Sequence, residues 1–277
     1  MAKKYSVHVG INQYPEFPSD SLVGCVNDAN DWQRVLSAKF SFDVTGLLVD
    51  EAATKENIIK AVTNTLRLLG PGDVLVFTYS GYGSWIPDKT DVRYRQECLC
   101  PWDCGSTGAI ITDTELHEVF SSRPKNSRII FVDDSSHSGE SVRYRKVMTE
   151  QMTYENGQRS AHRIRYLPSC NFLRHYKKIS DRMVNKATLY YPRRSSSIHA
   201  LLFDAAKSAE HGWESDFAGR PNGVLSYVML KTLILDASIK TYKALAREIS
   251  AVLPNTVSPQ TPQVVGPRKW ESWTLFT

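Results

Sequence analysis

No apolar run in the 277 residues approaches the length of a membrane span. The opening stretch "MAKKYSVHVGIN" passes from two lysines straight into strand-like alternation, without the apolar core of a secretory leader. No leader and no membrane anchor are therefore expected. There are five cysteines, an odd number, and no two of them have the two-residue gap of a zinc knuckle. That argues against a disulfide framework and predicts reduced thiols in a cytoplasmic protein. There is no internal repeat, which excludes solenoid and propeller architectures. One segment has few acids. Residues 140–195 hold 13 Lys/Arg against 4 Asp/Glu, a net of +9, while the rest of the chain carries 21 against 25, a net of −4. The whole excess of basic charge is local.

What is present is ordinary globular material, 42% hydrophobic and 23% charged, enough for one large α/β domain or two smaller ones. Tyr5, Val7, Val9 and Ile11 alternate as in a strand. Asn27 to Phe40 carries Ala29, Trp32, Val35 and Leu36 at helical spacing. "DVTGLLVD" reads as a short strand, and Thr54 can cap a helix that buries Ile58, Ile59, Val62, Leu66 and Leu69. "DVLVFTY" and "RIIFVDD" are near-continuous apolar strands of the kind found in a parallel sheet covered on both faces, with "TDTELHEVF" a short helix between them. Periodicity lapses over 140–195, which reads as a long linker. It resumes with the strand "HALLFDA", the helix "GVLSYVMLKTLIL", a helix capped by Thr241, and the short strand "TPQVVG". The alternation predicts a parallel sheet wound with helices.

In such sheets, sites form beyond the carboxyl ends of the strands. Two glycine-flanked loops lie there, "YSGYGS" after one buried strand and "DDSSHSG" after another. These loops, with "VGINQYP", "LVGCVNDANDW", "LVDEAATKENI", "ECLCPWD", "ITDTEL", "GRPNGVLSY" and "QTPQVVG" in the same order, resemble the caspase-like peptidases (peptidase C14), in particular the metacaspase and orthocaspase branch. The resemblance implies a caspase-like fold, a mixed, mostly parallel sheet of about six strands with helices on both faces. It divides the chain into a large-subunit region 1–139, a basic linker 140–195 and a small-subunit region 196–277 of a single domain.

Active relatives carry histidine in "SGHG" and cysteine in "DxCHSG". Tyr82 and Ser136 stand at those places here. A phenol, with its pKa near 10, is a poor base at pH 7, and a serine hydroxyl is a poor nucleophile unless a base takes its proton. A degenerate catalytic pair is expected, and so a pseudoprotease. The resemblance also implies an acidic pocket for an arginine or lysine side chain, lined by Cys25, Asp28, Ser80 and Asp134. On position alone Asp28 would read as a charge at a helix start. Basic side chains that follow the second loop closely, Arg143, Arg145 and Lys146, are candidates to reach that pocket from the same chain.

Other candidates carry less. Cys98, Cys100 and Cys104 read as buried thiols rather than zinc ligands. Relatives bind calcium through aspartates, but Arg93 and Arg95 occupy one acidic stretch and Thr114 follows Asp113, so neither a metal nor any other cofactor is expected. His8 reads as a core or rim histidine, and Met152 belongs to no stripe of methionines. The tyrosines and basic residues of 140–195 could bind single-stranded nucleic acid, but a solvated linker is the simpler reading and nucleic acid is not the expected partner. The expected function is recognition of an Arg- or Lys-containing peptide without turnover. The alternatives are a slow serine-type endopeptidase of the same specificity and a nucleic-acid scaffold.

Overall fold

The computed structural model describes residues 2–18, 21–87, 94–137, 162–168, 191–192, 199–207, 210–255 and 258–277. Its central sheet has strand order β13-β10-β7-β3-β1-β2. These strands are β1 (Lys4–Gly10), β2 (Asp43–Val49), β3 (Val74–Ser80), β7 (Arg128–Asp134), β10 (Leu201–Asp204) and β13 (Gln263–Val265). All neighbouring pairs are parallel except β10 with β13. The expected mostly parallel sheet of six strands is what the chain forms.

The apolar runs of β3 and β7 are buried along almost their whole length because both faces are covered. Leu75, Phe77, Ile129 and Phe131 point to one side, into a cluster with Ile58, Val62 and Leu66 of α2 (Lys55–Leu68) and Leu116 and Phe120 of α4 (Asp113–Ser121). Val74, Val76, Ile130 and Val132 point to the other. There they meet Trp32, Val35 and Leu36 of α1 (Cys25–Phe40), Leu225 and Met229 of α5 (Val224–Leu235), and Leu245 and Ile249 of α6 (Tyr242–Val252). The period of two in the strands thus sorts the helices into two layers. The Thr54 and Thr241 hydroxyls accept from Asn57 N and Ala244 N, as capping residues should. Thr112 and Glu115 close a reciprocal capping box on α4. Each such cap stabilises a helix by about 1 kcal/mol.

Two smaller sheets sit at the carboxyl end of the central one. β4 (Gly83–Pro87), β5 (Tyr94–Leu99) and β6 (Ile111–Thr112) are antiparallel, and β9 (Tyr191–Pro192) pairs in parallel with β5. β11 (Trp213–Asp216) lies between β12 (Pro221–Gly223) and β8 (Arg163–Ile164), antiparallel to both. The elements β4, β5, β8 and β11 have no counterpart in the sequence reading. Each is short or mixed in polarity and gains its order from pairing rather than from periodicity. Two short helices, α3 (Cys104–Thr107) and α7 (Arg268–Glu271), complete the described elements. No helix among the described residues is long and apolar enough to cross a membrane.

Candidate functional site: an acidic pocket filled by Arg165

The two loops do face each other. β3 and β7 are parallel neighbours in register, with Ser80 opposite Asp134 at their carboxyl ends. Asp134, two residues before Ser136, turns its carboxylate away from the sheet and accepts from Ser226 N at the start of α5, at 2.8 Å. Asp28 sits in the first turn of α1 but does more than charge that helix start. Its oxygens accept from Gly223 N at 3.0 Å and from Asn222 Nδ2 at 2.8 Å. A third carboxylate, which the sequence reading did not find, is Glu214 of β11. It accepts from Val23 N and Gly24 N at 2.9 and 3.0 Å. All three side chains are fully buried.

Between them lies one guanidinium, that of Arg165, also fully buried. Its Nη2 donates to Asp28 Oδ2 at 2.7 Å and lies 3.5 Å from Glu214 Oε2. Its Nη1 donates to the Asp134 carbonyl at 2.9 Å and lies 3.3 Å from Asp134 Oδ2. Cys25 flanks the group, its thiol 3.9 Å from Glu214 Oε2. Ser80 is buried beside Asp134, but the charged contacts to Arg165 come from Asp28, Asp134 and Glu214. Three carboxylates around one cation leave an excess of negative charge. Burial pushes Asp28 up to about 6, against the pull of Arg165 and with a further push from Asp134. Burial raises Asp134 and Glu214 too, again opposed by Arg165. Burial alone would weaken the Arg165 cation, but its neighbours Cys25, Asp134, Asp28 and Glu214 reverse that and hold it protonated. Gly223 leaves the needed space, since a Cβ there would collide with Asp134 Oδ2 and with the guanidinium.

The backbone of Arg165 is held as firmly. Its N–H donates to Gly212 O at 3.0 Å, and its carbonyl accepts from Gly83 N at 2.9 Å and Ser136 N at 3.1 Å. The last two donors are the backbones of the two loops. Arg143, Arg145 and Lys146, the basic residues expected from the sequence to approach this pocket, lie outside the described residues, as do Arg93 and Met152.

Tyr82 is buried, its N–H donating to Tyr14 Oη at 2.9 Å and its carbonyl accepting from Tyr79 Oη at 2.9 Å and Cys100 N at 2.9 Å. Its ring packs against Tyr14 with centroids 4.8 Å apart. The Ser136 hydroxyl is buried with no hydrogen-bond partner among the described residues. His137, next in sequence, turns to other partners. Its Nε2 faces Asp133 Oδ2 at 3.0 Å and its Nδ1 faces Ser84 O at 3.2 Å, two groups that only accept. Burial disfavours its charge, but the Asp133 carboxylate prevails and raises its pKa well above the usual value. An imidazolium with both nitrogens protonated has no lone pair for a serine proton. The Ser135 hydroxyl is engaged with Asp133 Oδ1 at 2.7 Å.

A family model described as "Metacaspase, peptidase C14 domain" matches residues 4–144, just over half of the chain. The chain belongs to the metacaspase family. It is 34% identical over 149 residues to Metacaspase-4 of Arabidopsis thaliana, covering 50% of this chain and 34% of that one. It is 33% identical over 146 residues to Metacaspase-2 of Trypanosoma brucei brucei, covering 48% and 41%. The chain thus spans well under half the length of these metacaspases. A crystal structure of protein GSU0716 from Geobacter sulfurreducens superposes with a TM-score of 0.71 at 22% identity, covering 99% of this chain and 98% of the other. That likeness extends the shared fold beyond the region matched in sequence.

Of the positions weighed for a calcium site in the sequence, Arg95 and Asp113 lie within the described residues. Arg95 is a buried cation on β5, 4.0 Å from Glu97. Asp113, raised by burial to about 6, spends one oxygen on Thr114 N. Among the described residues no group of three His, Cys, Asp or Glu is placed to hold a metal. Cys25, Cys98, Cys100 and Cys104 are buried free thiols. His8 is a core histidine, its Nδ1 2.9 Å from Thr78 Oγ1.

Proposed function

We propose that this metacaspase-family chain is a pseudoprotease whose cleft recognises an arginine-centred peptide, and that the peptide it holds is its own Arg165 segment. The carrying observation is the Arg165 guanidinium between Asp28, Asp134 and Glu214, with its carbonyl between Gly83 N and Ser136 N. A planar guanidinium can meet separate carboxylates with separate nitrogens, whereas an ammonium offers one point charge, so arginine should be preferred to lysine. The absence of turnover follows from Tyr82 and from a His137 whose two ring nitrogens both face acceptors, Asp133 Oδ2 and Ser84 O. General acid–base catalysis is commonly worth roughly 10²–10⁴-fold, and Tyr82 stands where the histidine that would carry it is found in active relatives.

One observation favours a slow serine peptidase instead. The Ser136 loop donates to the very carbonyl that a nucleophile would attack. Incubation with Arg- and Lys-terminated fluorogenic peptides, and intact-mass measurement of the stored chain, decide between the two. Background rates and an uncut chain are expected. Turnover that Ser136→Ala abolishes would overturn the pseudoprotease reading.

A further inference from the structure

The contacts of the Arg165 segment extend well past its guanidinium, on both sides of the Arg165–Tyr166 bond. On the amino side, β8 pairs antiparallel with β11, Ile164 opposite Trp213 and Arg163 opposite Glu214. The His162 ring stacks on Trp213, centroids 4.4 Å apart and planes 18° apart. Arg163 donates to the Ser21 carbonyl and stays partly exposed. Ile164 is 3% exposed, in one apolar cluster with Trp85, Tyr166 and Trp213. On the carboxyl side, Tyr166 bridges to Gly83 and its ring lies 6.5 Å from that of His211. Leu167 N donates to Gly83 O at 2.9 Å, and Ser84 Oγ donates to Leu167 O at 2.6 Å. Leu167 is buried in the opposite apolar cluster with Cys98 and Leu99. An extended peptide is therefore gripped through its backbone on either side of the arginine, and its side chains fall alternately into formed apolar places.

We infer that the cleft reads a pattern around the arginine: a flat ring three residues before it, an aliphatic side chain immediately before it, an aromatic immediately after it and an aliphatic one beyond. Trp213 sets the first position, Trp85 with Trp213 the second, and the walls around Gly83 and His211 the third. The partner class is a polypeptide segment of that pattern in extended form, which displaces the chain's own His162–Pro168. This rests on the arginine pocket proposed above and adds the flanking specificity.

The test uses the full-length chain with Ile164→Asp and Arg165→Ala, which removes two anchors of the resident segment. The probe is the capped synthetic peptide His-Arg-Ile-Arg-Tyr-Leu-Pro, its binding followed by calorimetry. Replacing its isoleucine by aspartate, or its tyrosine by alanine, is expected to weaken binding at least tenfold with the central arginine kept. Equal affinity for these three peptides would overturn the flanking pattern and leave the pocket standing. Equal affinity for the parent peptide and one with norleucine at the central arginine would overturn the pocket itself. If the double variant does not fold, amide exchange on the unmodified chain and on Ile164→Ala and Tyr166→Ala takes its place. Arg165 and Leu167 amides should exchange as slowly as those of β3 in the unmodified chain and at least tenfold faster in the variants. No change in the variants would overturn the pattern.

Discussion

Replacing Arg165 by methionine keeps the length of the side chain and removes its charge. What remains is Asp28, Asp134 and Glu214, all fully buried, facing one another with no cation among them. Removing one partner of a buried ion pair typically costs 3–5 kcal/mol, because the group left behind is charged and dry. The backbone donors at Gly223, Ser226, Val23 and Gly24 still serve the three carboxylates, which argues against a larger loss. About 4 kcal/mol is expected, a large share of the 5–15 kcal/mol that holds a typical domain. The pH dependence distinguishes this cause from simple loss of packing. Asp28 is already raised to about 6 with the arginine present, and without it the three acids must keep their protons to higher pH. Groups whose folded pKa is raised contribute stability at low pH and lose it as pH rises through the folded pKa. The methionine chain therefore holds more protons when folded than the parent does, and the gap between them widens with pH. Each additional proton retained adds about 1.4 kcal/mol per pH unit. Urea denaturation of both chains at pH 5 and pH 8 measures this. A gap below about 1 kcal/mol at pH 8, or one that grows as pH falls, would refute the reasoning.

Three further outcomes are expected. His8 is buried and its pKa is pushed down to about 3 by burial, so it stays neutral when folded. The stability this implies is present above the unfolded value near 6.5 and lost as pH falls toward 3, so His8→Val should gain about 3 kcal/mol on the parent between pH 7 and pH 4.5 in urea titrations. Tyr79→Phe removes a hydroxyl that serves the Tyr82 and Cys100 carbonyls, at 2.9 and 2.7 Å. Both carbonyls keep another donor, Cys100 N and Tyr14 Oη, so the loss should be about 1 kcal/mol in the same assay. Gly223→Ala drives a Cβ into the Asp134 carboxylate and the Arg165 guanidinium, and should cost about 1–3 kcal/mol while speeding amide exchange at Arg165.

The central sheet was legible because its signals are local. Val74–Ser80 and Arg128–Asp134 are apolar runs that only a two-sided burial explains, and Thr54 and Thr241 announce their helices by cap chemistry alone. The two loops could be placed at the strand ends for the same reason. Glu214 and Arg165 could not. Glu214 lies in "WESD", a four-residue strand with no alternation of its own, and its meaning comes from Val23 and Gly24, 191 and 190 residues away. Arg165 is one of 13 basic residues in a segment without periodicity. The one available signal was "HRIRYLP", in which Ile164, Tyr166 and Leu167 interrupt the basic run with strand-forming side chains. Proximity in sequence favoured Arg143, Arg145 and Lys146, but loop closure costs little for each doubling of length, so distance along the chain is a weak guide to which arginine docks.

A tethered occupant changes what a partner must do. The resident segment belongs to the same chain, so it competes with any partner as an intramolecular ligand. A partner's apparent affinity is its intrinsic affinity multiplied by the fraction of chains with an open cleft. If the contacts made by Arg165 and its neighbours leave the closed form favoured by about 3 kcal/mol, the open fraction is below about 1% and apparent affinity falls about 150-fold. Fluorescence anisotropy with labelled His-Arg-Ile-Arg-Tyr-Leu-Pro should therefore show binding to the unmodified chain roughly two orders of magnitude weaker than to the Ile164→Asp, Arg165→Ala chain. Raising the pH from 5 to 8 should strengthen binding to the double variant, whose three carboxylates ionise only as a guanidinium arrives. Equal affinity for the two chains would mean that the resident segment does not guard the cleft. Weaker binding at pH 8 would mean that the carboxylates are not what receives the arginine.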